Sequence, residues 1–426
     1  MKRINNKFIL SLLSIIMITG CSDSNINSSS VQDNNNQYQI NSVTNKFAKA
    51  VESEEIIIDE NYYKHFPDSN LSSSIDQLSS GIIPENITLA TPSQYQSQSF
   101  FSFLNHKATI EMYENYGTPE KFFVTGRVFE KKSITPDSVG DSKFTNFIRT
   151  IKFLTPDPIS NVDVNVSVNG VAKTGKTDRK GFFKVEFDNT NFKLGVNDVL
   201  AKLSGTKYKY DVAQDSVIID DAKTEKIGVI SDFDDTAKYT GVGHLIKMIK
   251  GILIGNYKTD KQVEGVSDLY NGILNGQQSV GNSVFYVTGG PVLLYQRVKN
   301  FLRENHFPNG SIDMKKSGST VDPNPSDTLN YKISKIRLII KAFPNKKFIC
   351  FGDTTQVDSQ VYLTVKKEFP NNIIGIYINN VNQAESSDPK YQGVILTKSA
   401  IESAQDLLQK GIIDQATVDK VTADVK

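Results

Sequence analysis

The chain has 426 residues, enough for two or three domains at roughly 100 to 200 residues each. Its net charge of +1, with 22% charged residues, removes any global electrostatic case for nucleic acid or a polyanionic partner. Two cysteines far apart in the chain, Cys21 and Cys350, exclude a disulfide framework and a cysteine-based zinc site, and four histidines argue against a histidine-rich metal centre. Carboxylate and hydroxyl chemistry is what composition leaves open.

Residues 1–20 read as an address. Lys2, Arg3 and Lys7 precede an apolar run from Phe8 to Ile18, which is short of the roughly 20 helical residues a bilayer needs. The following Ile18-Thr19-Gly20-Cys21 resembles the lipobox of bacterial lipoproteins, in which the cysteine becomes the lipidated first residue of the mature chain; an ordinary cleaved signal peptide is the alternative. Lipidation at Cys21 implies a protein of the bacterial cell envelope, anchored to a membrane and facing outside the cytoplasm, periplasmic or on the surface. It also leaves Cys350 without a partner, in the apolar setting Phe348-Ile349-Cys350-Phe351 expected of an inert core thiol. Residues 21–46, rich in Ser, Asn, Asp and Gln, bury too little apolar surface to offset their ordering entropy and read as a flexible tether. Residues 47–115 carry no motif, although Glu55-Ile56-Ile57-Ile58 and Ser99-Phe100-Phe101-Ser102-Phe103 suit short strands or docking segments.

From Phe122 to Val128 a strand pattern begins. It returns at Val162, Val164, Val166 and Val168, a period of two that ends in the turn dipeptide Asn169-Gly170, and again at Phe183, Val185 and Phe187 after a turn over Thr177 to Gly181. This spacing predicts a small β-sandwich over 116–222; nothing in it carries chemistry, and a structural spacer is its bland account. After Thr224 the pattern becomes α/β. Apolar strands at Ile227 to Ile230, Val284 to Val287, Phe348 to Phe351 and Ile373 to Ile378 alternate with helices near 291–305, 331–342 and 359–369, which predicts a parallel sheet covered on both faces in a catalytic domain over 223–400. A helical tail over 401–426 completes the chain.

In such a sheet the site lies at the carboxyl ends of the strands, where Asp232, Asp234, Thr288 and Asp353 all fall. Carboxylates two residues apart at one strand end, joined by a third from another, make a hard oxygen site suited to Mg²⁺. One carboxylate can attack phosphorus while a second handles protons, with the Thr288 hydroxyl and the Lys332 ammonium available to phosphoryl oxygens. A surface turn with a helix cap is the bland account of Asp232-Phe233-Asp234-Asp235-Thr236 taken alone.

These residues resemble the haloacid dehalogenase superfamily and, within it, the actin-patch type of phosphatidate phosphatase. The resemblance runs from about Phe123 to Ala404. Its motifs are Gly228 to Thr236 with Thr240-Gly241-Val242, then Phe285 to Thr288, Tyr331-Lys332, and Phe351-Gly352-Asp353-Thr354-Thr355-Gln356-Val357-Asp358. It implies a haloacid-dehalogenase-like Rossmannoid sheet, with Asp232 as nucleophile and Asp234 as general acid/base. Mg²⁺ would be held by Asp232, the Asp234 carbonyl and Asp353, phosphate by Thr288 and Lys332, and Asp358 would stand behind the metal or the lysine. The implied reaction takes phosphatidate and water to diacylglycerol and phosphate. Three departures bear on substrate preference: Thr288-Gly289-Gly290-Pro291-Val292 after the second strand, Asn379 where an Arg is common, and Lys315-Lys316-Ser317-Gly318 in place of an Arg-Asp-Trp-Gly-like loop. A phosphatase for another phosphomonoester, and a non-catalytic binding lipoprotein, are the competing readings. Finally, Lys247 and Lys250 share a helix face in the segment His244 to Lys258, opposite Leu245, Ile249 and Ile252. The pattern fits a lid at a lipid surface and equally a core-packing helix with solvated lysines.

Overall fold

The structure is a computed structural model that describes residues 55–56, 89–90 and 107–425, apart from 114, 131–135, 142–145, 147–148, 151–156, 189–191, 207, 224, 234–235, 237–255, 259, 276–282, 317–318 and 321–326. The signal segment and tether, Cys21, Asp234, and Lys247 and Lys250 with their amphipathic stretch thus lie outside the described residues. Two compact units are distinguished: residues 1–104, 133–156 and 242–259 in one, and 105–132, 157–241 and 260–426 in the other.

Within the first unit, β1 (Glu55–Ile56) pairs antiparallel with β2 (Leu89–Ala90). Arg149 is ion-paired with Asp137 and with Asp141, the latter at 2.7 Å, and Asn256 donates to the Ser138 carbonyl at 2.8 Å.

The second unit opens with nine strands: β3 (Lys107–Met112), β4 (Asn115–Thr118), β5 (Lys121–Glu130), β6 (Asp163–Val168), β7 (Val171–Lys176), β8 (Phe182–Asp188), β9 (Gly195–Ser204), β10 (Lys209–Tyr210) and β11 (Ala213–Ile219). Where the spacing suggests a β-sandwich from residue 116, these strands are hydrogen-bonded as one mixed sheet, in the order β10-β3-β5-β4-β11-β9-β6-β7 with β8 on β5, and β3 begins upstream at Lys107. One core takes side chains from β3, β5, β6, β8, β9 and β11, while β7 at the edge of the sheet has no buried residue. Val164, Val166 and Val168 point into that core with no exposure, while Val162, just before β6, is only partly covered. Each fully buried valine contributes about 1.5–3 kcal/mol. Asn169 and Gly170 both adopt positive φ, 47° and 86°, the conformation that a two-residue hairpin loop matched to strand twist requires. Phe183, Val185 and Phe187 alternate inward with Lys184 and Glu186 outward, and Phe187 stacks on Phe122 at 4.9 Å.

The chain then forms β12 (Ile227–Ser231), α1 (Val266–Asn275), β13 (Ser283–Pro291), α2 (Tyr295–Glu304), β14 (Ser311–Lys315), α3 (Thr328–Ala342), β15 (Lys347–Asp353), α4 (Asp358–Glu368), β16 (Ile373–Asn379), β17 (Ile395–Thr397), α5 (Ala400–Gln409) and α6 (Gln415–Asp424). The strands make a six-stranded sheet, β14-β13-β12-β15-β16-β17, parallel at every pairing. β12 and β15 are central and nearly continuous in apolar residues because both faces are covered, and Cys350 is a free, fully buried thiol within β15. The last two helices are packed against the rest of this unit: Leu407 and Val421 are fully buried, and the Gly265 amide donates to Asp424 at 2.6 Å. A Cβ on Gly272 of α1 would stand 2.1 Å from Thr417 of α6, so only glycine permits that approach.

The mixed sheet and the parallel sheet belong to the same compact unit and meet at polar and aromatic contacts. Tyr113 lies edge-on to Tyr295 at 4.7 Å and Tyr116 to Phe285 at 5.1 Å. At the amino ends of the parallel strands the fully buried Lys346 reaches Asp220 at 2.6 Å, and the same carboxyl oxygen accepts from the Ser283 hydroxyl at 2.8 Å. Removing one partner of a buried pair leaves an uncompensated charge. Asp220→Ala is therefore expected to cost about 3–5 kcal/mol, read as a lower urea midpoint, and the double variant Asp220→Ala/Lys346→Met should recover part of it. A midpoint unchanged in Asp220→Ala would show that the pair does not tie the two sheets.

Candidate active site

The site is built at the carboxyl edge of the parallel sheet. β12 runs apolar to Ser231, and Asp232 follows it, fully buried, with its amide donating to the Phe351 carbonyl at 3.0 Å. That bond extends the ladder one residue past the strand and fixes the direction in which the carboxylate leaves the sheet. The same Phe351 carbonyl accepts from the Tyr362 hydroxyl at 2.7 Å. On the other side the Ser231 hydroxyl donates to the Asp232 carbonyl at 2.6 Å and meets the Tyr270 hydroxyl at 2.8 Å. The Asp232 carbonyl only accepts, so the serine proton is committed to it and Tyr270 supplies the other proton.

Lys332, in the second turn of α3, places its ammonium 2.8 Å from Asp232 Oδ1 and 2.6 Å from Asp358 Oδ1. All three groups are buried. Burial alone would lower the lysine's pKa, but the carboxylates of Asp232 and Asp358 outweigh it and hold the pKa above its ordinary value, so the ammonium stays charged. Asp358 starts α4, and its second oxygen accepts from the Asp353 amide at 3.2 Å. Gly352 is the reason this fits: a Cβ there would stand 2.5 Å from the Asp358 Cβ. Asp353 closes β15, and its Oδ1 accepts from the Thr355 amide at 2.5 Å and from the Thr355 hydroxyl, while Oδ2 accepts from Thr236 at 3.4 Å.

Asp232, Asp353 and Asp358 each present an oxygen within 4.8 Å of the others. Three buried carboxylates around one lysine leave an excess of negative charge, and burial together with neighbouring Asp358 pushes Asp353 up to about 8. A set of hard oxygen donors short of positive charge fits a divalent cation such as Mg²⁺.

The structure thus brings Asp232, Asp353, Asp358 and Lys332 into one network. Thr288 stands outside it on the neighbouring strand. Ser231 pairs with Tyr286, so Thr288 lies two residues beyond the paired position; the residue is 2% exposed and its hydroxyl accepts from the Gly290 amide at 3.0 Å. Asn379 ends β16 beside Asp353. Among the residues in the network, Tyr270 and Tyr362 carry no motif that sequence reasoning could use, whereas Thr236 and Thr355 lie inside the quoted motifs without an assigned part.

Residues 227–380 match the family model described as phosphatidate phosphatase APP1, catalytic domain. The chain is 34% identical to the phosphatidate phosphatase APP1 of Saccharomyces cerevisiae over 174 residues, which is 40% of this chain and 29% of that protein. It is 26% identical over 156 residues to an uncharacterized protein of Schizosaccharomyces pombe, 36% of this chain and 25% of that one. The chain therefore spans less than a third of the length of either relative. A carbohydrate acetylesterase structure from Xanthomonas citri aligns over 65% of this chain and 58% of its own at 10% identity, but with a TM-score of 0.24 it bears no weight.

Gly352→Ala is expected to push Asp358 away from Lys332 and the Asp353 amide. Both the thermal midpoint and cation-induced stabilisation should fall, while Gly411→Ala, where a Cβ meets nothing but φ is +68°, should cost only the local backbone strain. Equal cation responses in the two variants, measured by differential scanning fluorimetry, would contradict the geometry. Every residue of the network, from Asp232 to Asp358, falls within the segment 227–380 that is similar to the APP1 catalytic domain.

Proposed function

We propose that the protein is a Mg²⁺-dependent phosphatase of the haloacid dehalogenase type, hydrolysing phosphatidate to diacylglycerol and phosphate and anchored to a bacterial membrane through lipidated Cys21. The observation that carries this reading is the strand-end carboxylate Asp232, held by Lys332 beside Asp353 and Asp358 inside a segment similar to a phosphatidate phosphatase catalytic domain.

Asp232 and Asp353, with the Asp234 carbonyl, are the groups assigned to the cation, and Asp358 is close enough to join them. When bound, Mg²⁺ would offset the charge that otherwise repels an anionic phosphoryl group. Lys332, 2.8 Å from Asp232 Oδ1, holds and orients the carboxylate for its part as nucleophile. Attack of Asp232 on phosphorus forms the acyl-phosphate bond as the phosphorus–alkoxide bond breaks. Asp234 gives its proton to the leaving alkoxide, releasing diacylglycerol, and then takes a proton from the water that frees phosphate and restores Asp232. Thr288 and Lys332 serve the phosphoryl oxygens. The departures at Asn379 and Lys315-Lys316 favour, as the second reading, the same chemistry on another phosphomonoester.

The envelope placement is supported by the cationic start, the short apolar run and Ile18-Thr19-Gly20-Cys21. Among the described residues no helix is long and apolar enough to cross a membrane. Stable anchoring would come from acyl chains.

Phosphate release from a panel of phosphatidate vesicles and soluble monoesters, with Mg²⁺ or EDTA, tests the activity. Asp232→Asn is expected to abolish turnover and Asp234→Asn to slow it by about 10² to 10⁴, with folding checked by circular dichroism. Wild-type rates in folded Asp232→Asn, or full activity in EDTA, would sink the mechanism. For the anchor, Cys21→Ser should move the protein from the membrane to the soluble fraction with soluble-ester activity intact; a variant that still pellets after a high-salt wash speaks against lipidation.

A further inference from the structure

β14 ends at Lys315, on the same edge of the sheet as Asp232, Thr288 and Asp353. A lysine at the end of an outer strand ordinarily turns to water, yet this one is 5% exposed. Its ammonium donates to Thr328 Oγ1 at 3.0 Å and lies 5.9 Å from the centre of the Tyr331 ring. Thr328 opens α3 four residues before Lys332, so the two occupy one helix face a turn apart. Thr328 also presses on the backbone after Thr288: a Cβ on Gly289 would stand 2.6 Å from its Cγ2 and 3.1 Å from its Oγ1. Lys315 is therefore held where the Thr288 to Gly290 backbone meets the helix face that carries Lys332. Asp327, which caps α3 by accepting from the Asn330 amide at 2.8 Å and the Asn330 side chain at 3.2 Å, also feels the Lys315 charge, so that charge is offset in part.

Lys332 already faces two carboxylates, Asp232 and Asp358, so much of its charge is offset before any substrate arrives. A phosphomonoester dianion approaching Asp232 presents more negative charge than a diester does, on oxygens turned away from the attacking carboxylate. A further cation on the outer side of Thr288 is suited to those oxygens, and a charge-assisted contact there is unavailable to an esterified oxygen.

We propose that Lys315, held by Thr328, binds the outer oxygens of a phosphomonoester dianion and so determines the preference for monoesters over diesters. The proposal rests on the phosphatase reading above and adds a residue to it.

The test uses the purified full chain in Mg²⁺ with p-nitrophenyl phosphate, bis(p-nitrophenyl) phosphate and inorganic phosphate as probes. Lys315→Met should raise KM for the monoester, and the inhibition constant of phosphate, about tenfold each, with kcat changed by less than about twofold and diester hydrolysis unchanged. Lys315→Arg, which keeps the charge, should recover at least part of the loss. Unchanged KM and inhibition constants in Lys315→Met overturn the proposal. So does an equal loss in both variants accompanied by a lower thermal midpoint, which makes Lys315 a packing residue. If the wild type releases phosphate from no monoester, the phosphatase reading falls, and calorimetry with inorganic phosphate still decides on Lys315. Binding about tenfold weaker in Lys315→Met supports the site, and equal binding, or none by the wild type, overturns it.

Discussion

The Lys332 ammonium, gripped between Asp232 and Asp358, is the interaction on which the site depends. Burying three charged groups is costly, and their mutual attraction offsets the cost only if further hydrogen bonds complete each group. One strand, β15, supplies two of the constraints: the Asp353 amide serves the Asp358 carboxylate, and the Phe351 carbonyl anchors the Asp232 amide and so fixes the backbone from which its carboxylate departs. Each bond demands a particular backbone position, so the charge cluster and the strand ends specify each other. Gly352 shows how narrow the tolerance is, since a single methyl between β15 and α4 would displace the carboxylate that holds the lysine.

The same cluster explains why a cation suits the site without invoking any relative. Lysine satisfies one side of Asp232 and of Asp358, but Asp353 is left with hydroxyl and amide partners from Thr355 and Thr236. Those neutral donors do not offset a buried charge as an ion does, which is why burial and Asp358 together raise its pKa. A divalent ion at the three oxygens would reverse that balance.

How much of this was legible depended on distance along the chain. Asp232 and Asp353 could be read because each directly follows an apolar run too continuous to face water, and in a parallel sheet such positions converge at one edge. The hairpin at Asn169-Gly170 was legible because its turn chemistry is local. β14 was not, because Ser311–Lys315 alternates polar and apolar over only five residues, with two apolar positions, too short a run to stand out, and so its terminal lysine appeared only as part of a departing loop. Tyr270 was invisible for another reason: its hydroxyl meets Ser231 across 39 residues, and nothing in its own neighbourhood distinguishes it from a core aromatic. The residues before 122 gave a boundary at 116 because pairing of β3 with β5 is a long-range fact that strand periodicity does not encode.

The β-region, whose bland account from sequence is a spacer, has a more specific physical relation to the site. Its strands end at Ile219, and the next residue, Asp220, takes the Lys346 ammonium and the Ser283 hydroxyl at the amino ends of β15 and β13. Asp232 and Asp353 stand at the opposite ends of β12 and β15. A parallel strand transmits register along its length because each residue's pairing fixes its neighbour's, and slipping by one residue would turn every side chain to the other face. Pinning β15 at Lys346 therefore helps fix where Asp353 emerges, and pinning β13 at Ser283 helps keep it in register with β12 as far as Tyr286, two residues short of Thr288. Tyr116 against Phe285 and Phe343 reinforces the same end of the sheet. On this account the β-region contributes no group to the chemistry, yet the register of the carboxylates is set partly by a buried ion pair that it supplies from the far end of the strands.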